Sequence, residues 1–416
     1  MIMADLVVEL SGTKIGELAG SWRSFDFFAE PEAIERYGLD SLVLSVAVPL
    51  IPIPTRSGRR RRQNYFTELL PEGRMLDRLA QEAGVPRHDV IGMLRRYGRD
   101  IAGALQIWDP EVPGEPRRPR REAQTEAQVA DLLARVQEYP LGNRRVGGKT
   151  SLAGVQDKIV LVRSADRWYR AIDGYPSTHI LKPVVRDYPT MIFDEEFGSR
   201  FARALGLADF QTWLAEFEDV PALIIERYDR DPRAKDGRVH QEDFSQALGA
   251  SGNEKYQKLG DRVSLARVAR LLTELAGRES VERLLRLTVL SVALGNLDLH
   301  TKNLSLLHGP GGTLILAPAY DVVPQTHLPG DGDLALAVDH EYRHRMITRE
   351  HLRNEAAAWG LPEPDPIIDD TLAAVIELAE QEQPHPRAHQ ALPREIRTFA
   401  RNLRQGKPCG CPSGRP

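Results

Sequence analysis

The sequence predicts an α+β fold of two lobes, with strands in the middle of the chain and helices after them. Runs rich in β-branched residues at 158–162, 178–182 and 222–227 predict strands. The segments after residue 264 are mostly typical of helices. Because 416 residues are more than one ordinary small domain needs, we expect two or three packed units. Strands followed by helices favour two lobes with a cleft between them.

The first part of the chain predicts a separate, mixed α/β subdomain. Its strands are expected at residues 5–10 and 41–51, and its helices at residues 76–83 and 89–96. The basic run Arg59–Arg62 lies between these strands and helices. We interpret this run as a solvated loop, and a contact to phosphate or to a partner is the alternative.

Residues 109–122 are rich in proline and charge, so they cannot bury a core and predict a linker. Helices are expected at residues 126–139, 193–204, 265–275, 281–294 and 370–380, the third of them with Ser264 as its N-cap. The predicted parts are an N-terminal subdomain, a linker with a helix, a strand-rich lobe, a helical lobe and a disordered tail, at residues 1–110, 111–145, 146–230, 231–400 and 401–416.

Composition and charge narrow the class of protein. The net charge is −4 and the pI is near 6.3, so the chain as a whole is not expected to bind a polyanion. Cys409 and Cys411 cannot build a disulfide framework or a four-ligand zinc site, which favours a reduced, cytoplasmic protein. No apolar run reaches about 18 residues, so we expect no membrane span. The first residues lack a basic region followed by an apolar stretch, so we do not expect secretion.

The segment Gly295–Asn303, which reads GNLDLHTKN, is the most informative about chemistry. Asp298 lies five residues before Asn303, and a second acid, Asp321, follows in the sequence APAYD. In phosphoryl transfer one Asp accepts or orients the proton of the attacking hydroxyl, and an Asn with another Asp holds Mg²⁺ against the phosphates. This order of residues therefore predicts a kinase.

Two further side chains of this segment have alternative roles. His300 is interpreted as a structural residue that braces the catalytic loop by hydrogen bonding. Lys302 could neutralise the transferring phosphoryl group, or it could face solvent.

Lys182 ends a predicted strand, where its ammonium could reach the α- and β-phosphates of ATP. Glu195 and Glu196, at the start of the next helix, are candidate ion-pair partners for it. The alternative is an edge lysine that reaches solvent.

The glycine-rich stretch 147–154 and the segment 224–230 complete the candidate nucleotide contacts. Exposed N–H groups of a glycine-rich loop can hold phosphate oxygens, although the spacing here does not fit a Walker A loop, and a flexible turn is the alternative. Segment 224–230 is a strand that runs into polar residues. It could offer its backbone to adenine, or it could be a plain strand with a surface salt bridge.

In this order the segments resemble the HipA-type serine/threonine kinases, the toxin components of bacterial toxin–antitoxin pairs. The matching stretches are SLAGVQDK, HILKP, DEEF, IERYDR, HQEDFSQ, GNLDLHTKN and APAYD, at residues 151–158, 179–183, 194–197, 225–230, 240–246, 295–303 and 317–321. YFTELLPEG at 65–73 and GRDIAGALQ at 98–106 are also similar to that family. The resemblance implies a two-lobed, protein-kinase-like fold with a mostly helical C-terminal lobe.

The resemblance also implies roles for matching residues. Asp298 would be the catalytic base, with Lys302 beside it, and Lys182 would contact the phosphates of ATP. Asn303 and Asp321 would hold Mg²⁺. The remaining nucleotide contacts would come from the phosphate-covering loop, the adenine hinge and the catalytic loop, namely Gly154, Val155, Gln156, Asp157, Lys158, Glu226, Tyr228 and His300.

The family also implies regulation and partners. Ser151 matches the autophosphorylation site, where modification would push the loop out of its ATP-bound position and switch the enzyme off. The implied partners are a helix-turn-helix antitoxin of the HipB type, which binds the kinase and operator DNA, and substrates that include aminoacyl-tRNA synthetases. Val155 and Asp157 replace the commoner Ala and Glu, which affects the fine geometry of the nucleotide site.

Two other functions remain open. A small-molecule kinase of the aminoglycoside-phosphotransferase type shares the D-x-x-x-x-N loop and a later metal-binding Asp, although residues 240–246 and the N-terminal subdomain argue against it. A nucleotide-binding pseudokinase that serves as a corepressor is the third possibility, and the intact catalytic residues argue against it.

Overall fold

The computed structural model describes residues 6–143, 148–154, 156–309 and 312–411. The chain forms two compact units, each built from several stretches. Unit 1 contains Met1–Pro183, Ala215–Gly252 and Leu307–Gly312, and unit 2 contains Val184–Leu214, Asn253–Leu306 and Thr313–Pro416. Helices and sheets are both abundant, so the predicted α+β class is confirmed.

Unit 1 begins with an antiparallel sheet whose strands are ordered β3–β2–β1–β4. Its strands are β1 (Leu6–Leu10), β2 (Thr13–Ser21), β3 (Ser24–Ala29) and β4 (Leu105–Trp108). Val8 pairs with Ile107, so the chain returns to this sheet after the helices that follow β3. Alternate side chains of β1 are buried in a hydrophobic core shared with those helices.

The helices of this subdomain are α1 (Pro31–Tyr37), α2 (Arg59–Thr67), α3 (Gly73–Ala83) and α4 (Val90–Tyr97). The predicted helices at 76–83 and 89–96 are thereby confirmed. The strand predicted at 41–51 is wrong, because only an isolated bridge between Ser41 and Leu50 forms there. Pro49 and Pro52 lack the N–H groups that a longer ladder needs.

The run Arg59–Arg62 is the first turn of α2, so the predicted loop is wrong, although its first three arginines are exposed as a solvated run requires. Arg62 is buried, and its Nε and Nη2 atoms donate to the two carboxylate oxygens of Asp26 at 2.6 and 2.9 Å. Tyr65 and Phe66, three and four residues further on, are buried on the same helix face. The pairing with Asp26 compensates the burial of the guanidinium.

A second antiparallel sheet has the order β5–β7–β6–β8–β10–β9, and the second half of β9 lies in unit 1. Its strands are β5 (Arg120–Gln124), β6 (Ile159–Ser164), β7 (Arg167–Ile172), β8 (His179–Pro183), β9 (Thr212–Phe217) and β10 (Val220–Glu226). The three strands predicted from β-branched runs are confirmed as β6, β8 and β10.

The linker predicted at 109–122 is too long, because Arg120 already pairs with Ile172 in the sheet. Strand β5 is polar and mostly exposed, so no alternation of apolar residues marks it in the sequence. Helix α5 (Glu126–Ala134) follows a capping box and ends five residues before its predicted end at 139. Unit 1 is completed by β11 (Gln241–Asp243) and α7 (Phe244–Leu248).

Unit 2 is mostly helical. Its helices are α6 (Met191–Ala204), α8 (Leu265–Leu275), α9 (Gly277–Leu294), α10 (Arg349–Ala358), α11 (Pro364–Gln381) and α12 (Leu392–Arg404). The strands that begin or lie in it are β12 (Ser305–His308), β13 (Leu314–Leu316), β14 (Asp333–Val338) and β15 (Glu341–Arg343). The apolar α9 packs against α8, α11 and α12. As predicted, Ser264 caps α8 by accepting from the N–H of Arg267 at 3.1 Å.

Two predicted boundaries differ from the structure. Helix α6 belongs to unit 2, although the strand-rich lobe was predicted to extend over 146–230, and unit 1 continues to Gly252. The disordered tail predicted at 401–416 is wrong as far as residue 411, because α12 runs to Arg404 and Cys409 is buried. The Cys409 N–H donates to the carbonyl of Ile347 at 2.7 Å, and burial raises the pKa of its thiol.

Among the described residues, no helix combines the length and the apolar character that crossing a membrane requires.

Candidate active site

The segment 295–303, called the catalytic segment below, begins where α9 ends. Gly295 has a φ of +70°, and its N–H caps the helix by donating to the last turn. A Cβ atom added here would lie 2.5 Å from Cγ2 of Thr326. Glycine is therefore needed both for the left-handed turn and for the close approach, and this turn directs the chain away from the helix axis toward Asp298.

Asp298 and Asn303 are joined by a hydrogen bond across the catalytic segment. The Nδ2 atom of Asn303 and the N–H of His300 both donate to the backbone carbonyl of Asp298, at 2.9 and 2.8 Å. The turn is thus held by the backbone of Asp298, while 41% of its side chain is exposed. Because Nδ2 is engaged, Oδ1 is the atom of Asn303 that can ligate a metal ion.

Tyr320 connects the catalytic segment with Asp321. Its phenol donates to the carbonyl of Lys302 at 2.7 Å, so the hydroxyl of Ser305, also 2.7 Å away, must donate to the phenol oxygen. Asp321 follows directly and has a φ of +57°, which is uncommon outside glycine. Both hydrogen bonds hold the turn of Asp321 beside the residues that flank Asn303.

Helix α6 approaches this turn through a glycine that sequence reasoning missed. A Cβ atom at Gly198 would lie 2.2 Å from the carbonyl oxygen of Val322. Gln325 was also missed, and it donates its N–H to Gly295 and accepts from the N–H of Leu297 through Oε1. A glycine inside a predicted helix was a visible signal for Gly198, whereas no local pattern indicates Gln325.

The side chains of His300 and Lys302, which follow Asp298, are both buried. His300 is 6% exposed, its ring contacts Tyr256 edge-on at 5.3 Å, and its Nε2 lies 3.9 Å from Oδ2 of Asp298. This geometry agrees with a bracing role. Lys302 is 7% exposed, so the alternative in which it faces solvent is wrong.

In unit 1, Lys182 lies on β8, which is flanked on both sides by β6 and β10. It pairs with Leu223, and its neighbour Leu181 pairs with Ile159. Its side chain is buried, so the alternative of an edge lysine that reaches solvent is wrong.

The two candidate acids on α6 differ in their surroundings within unit 2. The carboxylate of Glu196 binds the guanidinium of Arg200 through two hydrogen bonds of 2.8 and 2.7 Å. Glu195 is buried. The pairing of either acid with Lys182 stays a prediction.

Residues 148–158 are called the phosphate loop below, and their described part 148–154 is anchored to the N-terminal subdomain. The hydroxyl of Ser151 is buried and donates to the carbonyl of Leu69 at 3.0 Å. The N–H of Glu72 donates to the carbonyl of Gly154 at 3.2 Å. Among the site residues predicted in this loop, Val155 lies outside the described residues.

In the second half of the phosphate loop, the side chain of Lys158 bonds to the backbone of the same loop. The ammonium of Lys158 donates to the carbonyl of Ala153 at 2.6 Å, and a Cβ atom at Gly154 would lie 2.6 Å from that nitrogen. Asp157 accepts from Nε2 of Gln137 at 3.1 Å. In contrast, Nε2 of Gln156 is buried and has no hydrogen-bond partner among the described groups.

The segment after β10 alternates between a buried and a more open face. Glu226 is exposed and Tyr228 is half-buried, with its hydroxyl donating to Oε1 of Gln241. Arg227 and Asp229 point the other way and form a buried bidentate ion pair, with N–O distances of 2.9 and 2.8 Å. The salt bridge considered for this strand therefore exists, but it is buried and not on the surface.

Two arginines, one of them in this pair, keep Asp229 negatively charged. Burial alone would raise the pKa of Asp229, but Arg227 and Arg230 hold it well below its usual range.

The donor groups fit a metal that is shared with a phosphate ligand. Within the part of the chain that the structure describes, no group of three or more His, Cys, Asp and Glu side chains is placed to hold a metal ion. Asn303 and Asp321 contribute an amide and a carboxylate, and both are oxygen donors. Mg²⁺ prefers such donors and is commonly bound by one or two of them together with waters and substrate phosphates.

Family models match most of the chain. A model described as HipA-like C-terminal domain matches residues 150–380, and one described as HipA N-terminal domain matches residues 6–108.

Curated proteins and a solved structure are also similar. The putative kinase Y4mE of Sinorhizobium fredii is 33% identical over 299 residues, which cover 70% of each chain. The serine/threonine-protein kinase toxin HipA of Shewanella oneidensis is 27% identical over 377 residues, covering 86% of this chain and 84% of that protein. A structure of the S. oneidensis toxin–antitoxin complex of HipA, HipB and operator DNA has the same fold. Its TM-score is 0.75 at 24% identity, and the match covers 94% of this chain and 95% of that chain.

Proposed function

The chain belongs to the HipA family of kinases, and from this premise we propose that it is an ATP-dependent protein serine/threonine kinase that acts as the growth-arrest toxin of a toxin–antitoxin pair. The observation that carries the proposal is the catalytic segment of unit 2. There, one carbonyl holds Asn303 and leaves the Asp298 side chain partly exposed, and Tyr320 holds Asp321 nearby. These are the parts that phosphoryl transfer requires.

Each residue has a defined task in this proposal. Asp298 takes or orients the proton of the attacking serine or threonine hydroxyl. Asn303, through Oδ1, and Asp321 hold Mg²⁺, and Lys302 supplies positive charge close to Asp298. The bound Mg·ATP supplies the transferable phosphoryl group. His300 supports the nucleotide site by holding the catalytic segment.

Residues of unit 1 supply the proposed nucleotide contacts. Lys182 contacts the phosphates, and the backbone near Glu226 and Tyr228 contacts adenine. The buried Nε2 of Gln156 has no hydrogen-bond partner among the described groups, and a phosphate oxygen would provide one. The other loop residues proposed to cover the phosphates are Gly154, Val155, Asp157 and Lys158.

We propose that phosphorylation of Ser151 inhibits the enzyme. The hydroxyl is buried against the carbonyl of Leu69, and a phosphoryl group adds up to about two negative charges at pH 7. A dianion cannot keep a hydrogen bond to a carbonyl oxygen in a buried site. Modification therefore requires Ser151 to leave this position, which moves the phosphate loop away from the nucleotide.

The partners follow from the family. A helix-turn-helix antitoxin of the HipB type is proposed to bind this chain and to make most of the contact with operator DNA, because the chain itself has a net charge of −4. We propose a translation-related protein such as an aminoacyl-tRNA synthetase as the substrate, and the cytoplasm as the location. The match of both HipA domains favours this function over a small-molecule kinase.

The test is intact mass and phosphopeptide mapping of the full chain with and without Mg·ATP, for the wild type and Asp298→Asn. We expect the wild type to gain phosphate on Ser151, and Asp298→Asn to do so more slowly by a factor of about 100 to 10,000. The turn is held by the backbone of Asp298, so the variant should unfold at the same temperature as the wild type.

Asp370→Asn is the matched control, because Asp370 is an exposed acid on α11. It should gain phosphate at the wild-type rate. Equal rates for the wild type and Asp298→Asn would contradict the assignment of Asp298. A wild-type chain that is unmodified at the start, binds ATP and gains no phosphate would favour the small-molecule kinase or the pseudokinase.

A further inference from the structure

Asp100 contacts the phosphate loop through its backbone. It lies in the N-terminal stretch 98–106 and is 1% exposed. Its N–H donates to the carbonyl of Lys149 at 3.1 Å, and its own carbonyl accepts from the N–H of Ser151 at 3.0 Å. This pair of bonds forms an isolated parallel bridge between Asp100 and Thr150, just before the site of proposed phosphorylation.

The carboxylate of Asp100 contacts three separate segments of unit 1. Its Oδ2 accepts from the hydroxyl of Thr150 in the phosphate loop at 3.3 Å. Its two oxygens accept from the N–H of Ser177, two residues before β8, at 3.4 and 3.3 Å. Its Oδ1 accepts from Nη2 of Arg230, after β10, at 3.1 Å. One side chain thus joins the loop to the segment before β8 and to the segment after β10, the two strands that carry predicted nucleotide-site residues.

The negative charge of Asp100 compensates the positive charge of two buried arginines. Arg227 and Arg230 are buried, and Asp229 and Asp100 supply the two carboxylates around them, with Arg227 Nη1 3.8 Å from Oδ1 of Asp100. Removing one carboxylate leaves a buried guanidinium without full compensation. The hydroxyl of Thr150 is the part of this cluster that belongs to the phosphate loop.

Other contacts also hold the loop. Leu152 is buried and belongs to the hydrophobic core of the N-terminal subdomain, and Lys149 pairs with Glu115. The cluster that contains Leu152 also includes Val160 on β6, and Ile180 of β8 packs against it, whereas the pair of Lys149 and Glu115 reaches the linker. Asp100 differs from these contacts because its carboxylate makes polar contacts both to Ser177 before β8 and to Arg230 after β10.

We propose that Asp100 is a positioning residue that holds the phosphate loop in register with β8 and with the segment after β10. The inference rests on the proposed function, since that function makes the loop, Lys182 and the hinge parts of one nucleotide site. Loss of the Asp100 carboxylate removes the hydroxyl contact of Thr150, whose N–H and carbonyl stay bonded to the side chain of Asn143. It also loosens the backbone of Asp100, whose carbonyl accepts from the N–H of Ser151, so we expect the effect to begin at Thr150 and Ser151.

The first experiment is amide hydrogen exchange of the full chain without nucleotide, for the wild type, Asp100→Asn and Thr150→Val. Asn keeps the size of the side chain but removes the charge and one acceptor, so we expect exchange at residues 149–152 to rise about tenfold. Thr150→Val removes only the hydroxyl contact and should raise exchange there about threefold. The Val variant keeps the test decisive if Asp100→Asn does not fold.

Asp109→Asn is the matched control. Asp109 is also a buried acid of unit 1, paired with Arg95 at 2.7 Å, but its partners lie outside the phosphate loop. Amide exchange at residues 149–152 of the Asp109→Asn variant should stay at the wild-type level. Wild-type exchange in Thr150→Val, or an equal increase in Asp109→Asn and Asp100→Asn, would overturn the proposal.

The second experiment measures the Kd of Mg·ATP by calorimetry in the Asp298→Asn background, where turnover does not interfere. Asp100→Asn should weaken binding about tenfold, Thr150→Val less, and Asp109→Asn not at all. If the parent protein does not bind ATP, the proposed function fails while hydrogen exchange still tests the anchoring. If it binds and Asp100→Asn and Thr150→Val bind equally well, the positioning role is wrong and the proposed function stands.

Discussion

At Asp298 the backbone and the side chain have separate tasks. The carbonyl accepts from Asn303 and His300 and thereby shapes the turn, whereas the carboxylate is partly exposed. The same division applies to Asn303, whose Nδ2 is structural and whose Oδ1 can ligate a metal ion. A residue of this kind can lose its chemistry by substitution without losing the local fold.

Tyr320 is predicted to matter for both stability and activity. Tyr320→Phe removes the hydrogen bonds to Lys302 and Ser305 and leaves a buried carbonyl without its donor. We expect the free energy of unfolding to fall by about 1–3 kcal/mol. Phosphate gain at Ser151 should also slow, because Asp321 is no longer held beside the catalytic segment. Urea unfolding and phosphopeptide mapping measure the two effects.

Tyr188→Phe provides the comparison, because Tyr188 is exposed at 38% and lies in the same unit. It should match the wild type in both assays. A Tyr320→Phe variant with unchanged phosphate gain would show that the link to Asp321 is not needed.

His240 is held in its neutral form by its neighbours in unit 1. The N–H of Ala104 donates to Nδ1 at 3.4 Å, so the ring proton is on Nε2, which donates to the carbonyl of Leu44 at 2.8 Å. Burial and the nearby His308 lower the pKa of His240 from 6.5 to about 3. Between these two values the unfolded chain binds a proton that the folded chain does not.

Stability should therefore fall as the pH drops through that window, and His240→Gln should reduce the dependence. The contribution of one such proton is about 1.4 kcal/mol per pH unit. We expect the slope of the unfolding free energy between about pH 6 and pH 4 to be smaller by that amount in His240→Gln. Urea unfolding at several pH values measures it. His88→Gln, at an exposed position, should keep the wild-type slope.

Among the elements, α9 and the turn that ends it decide the direction of the catalytic segment. The apolar pattern of the helix was visible in the sequence, and so was the glycine after it. The need for that glycine became clear only from the position of Thr326. Helix α2 shows the opposite case, because the charge of its basic first turn indicated a loop, whereas the helix buries Arg62 together with Tyr65 and Phe66.

Gly295→Ala should be more damaging than Gly360→Ala. Both glycines follow helices at a φ of +70° and +82°, so both variants lose about 1 kcal/mol to backbone strain. A Cβ atom at Gly295 meets Thr326 at 2.5 Å, whereas one at Gly360 has nothing within 4 Å. We expect Gly295→Ala to lose at least about 1 kcal/mol more and to slow phosphate gain at Ser151. Thermal unfolding and mass spectrometry compare the two.

Two outcomes would contradict this prediction for Gly295. If the two alanine variants lose the same stability, the contact with Thr326 adjusts without cost. If Gly360→Ala alone slows phosphate gain, the turn at Gly295 does not position the catalytic segment.

For the whole molecule, the two units have different buried polar anchors. Asp229 in unit 1 accepts from Arg227, Arg230 and the N–H of Gly103. Asp194 in unit 2 is fully buried and accepts from the N–H of His389 and from Nε2 of His327. Each carboxylate connects segments that are distant in the sequence but belong to one unit.

Substitution of each anchor should therefore weaken its own unit. Asp229→Asn breaks a buried ion cluster and is expected to destabilise unit 1 by about 3–5 kcal/mol. Asp194→Asn should lower protection in unit 2 instead. Hydrogen exchange of peptides from both units distinguishes the two effects. Equal loss of protection throughout the chain in both variants would show that the units unfold as one.

The sequence by itself determined the fold class, the strands β6, β8 and β10, the later helices and the family. Each of these depends on residues close together in the chain, such as an apolar repeat, a capping serine or the spacing of Asp298 and Asn303. The turn at Asp298 was also predictable in outline, because the two hydrogen bonds that its carbonyl accepts come from residues at most five positions away.

Only the tertiary structure decided which charges are buried and what holds the phosphate loop. Arg62 pairs with Asp26 over 36 positions, and Asp100 pairs with Arg230 over 130. Partners that are distant in the sequence also explain why strand β5, which pairs with β7, was missed. They likewise explain the order of the chain up to residue 411, where Cys409 bonds to Ile347. The cost of burying a charge or a backbone group depends on whether a partner arrives from elsewhere, and no local pattern contains that information.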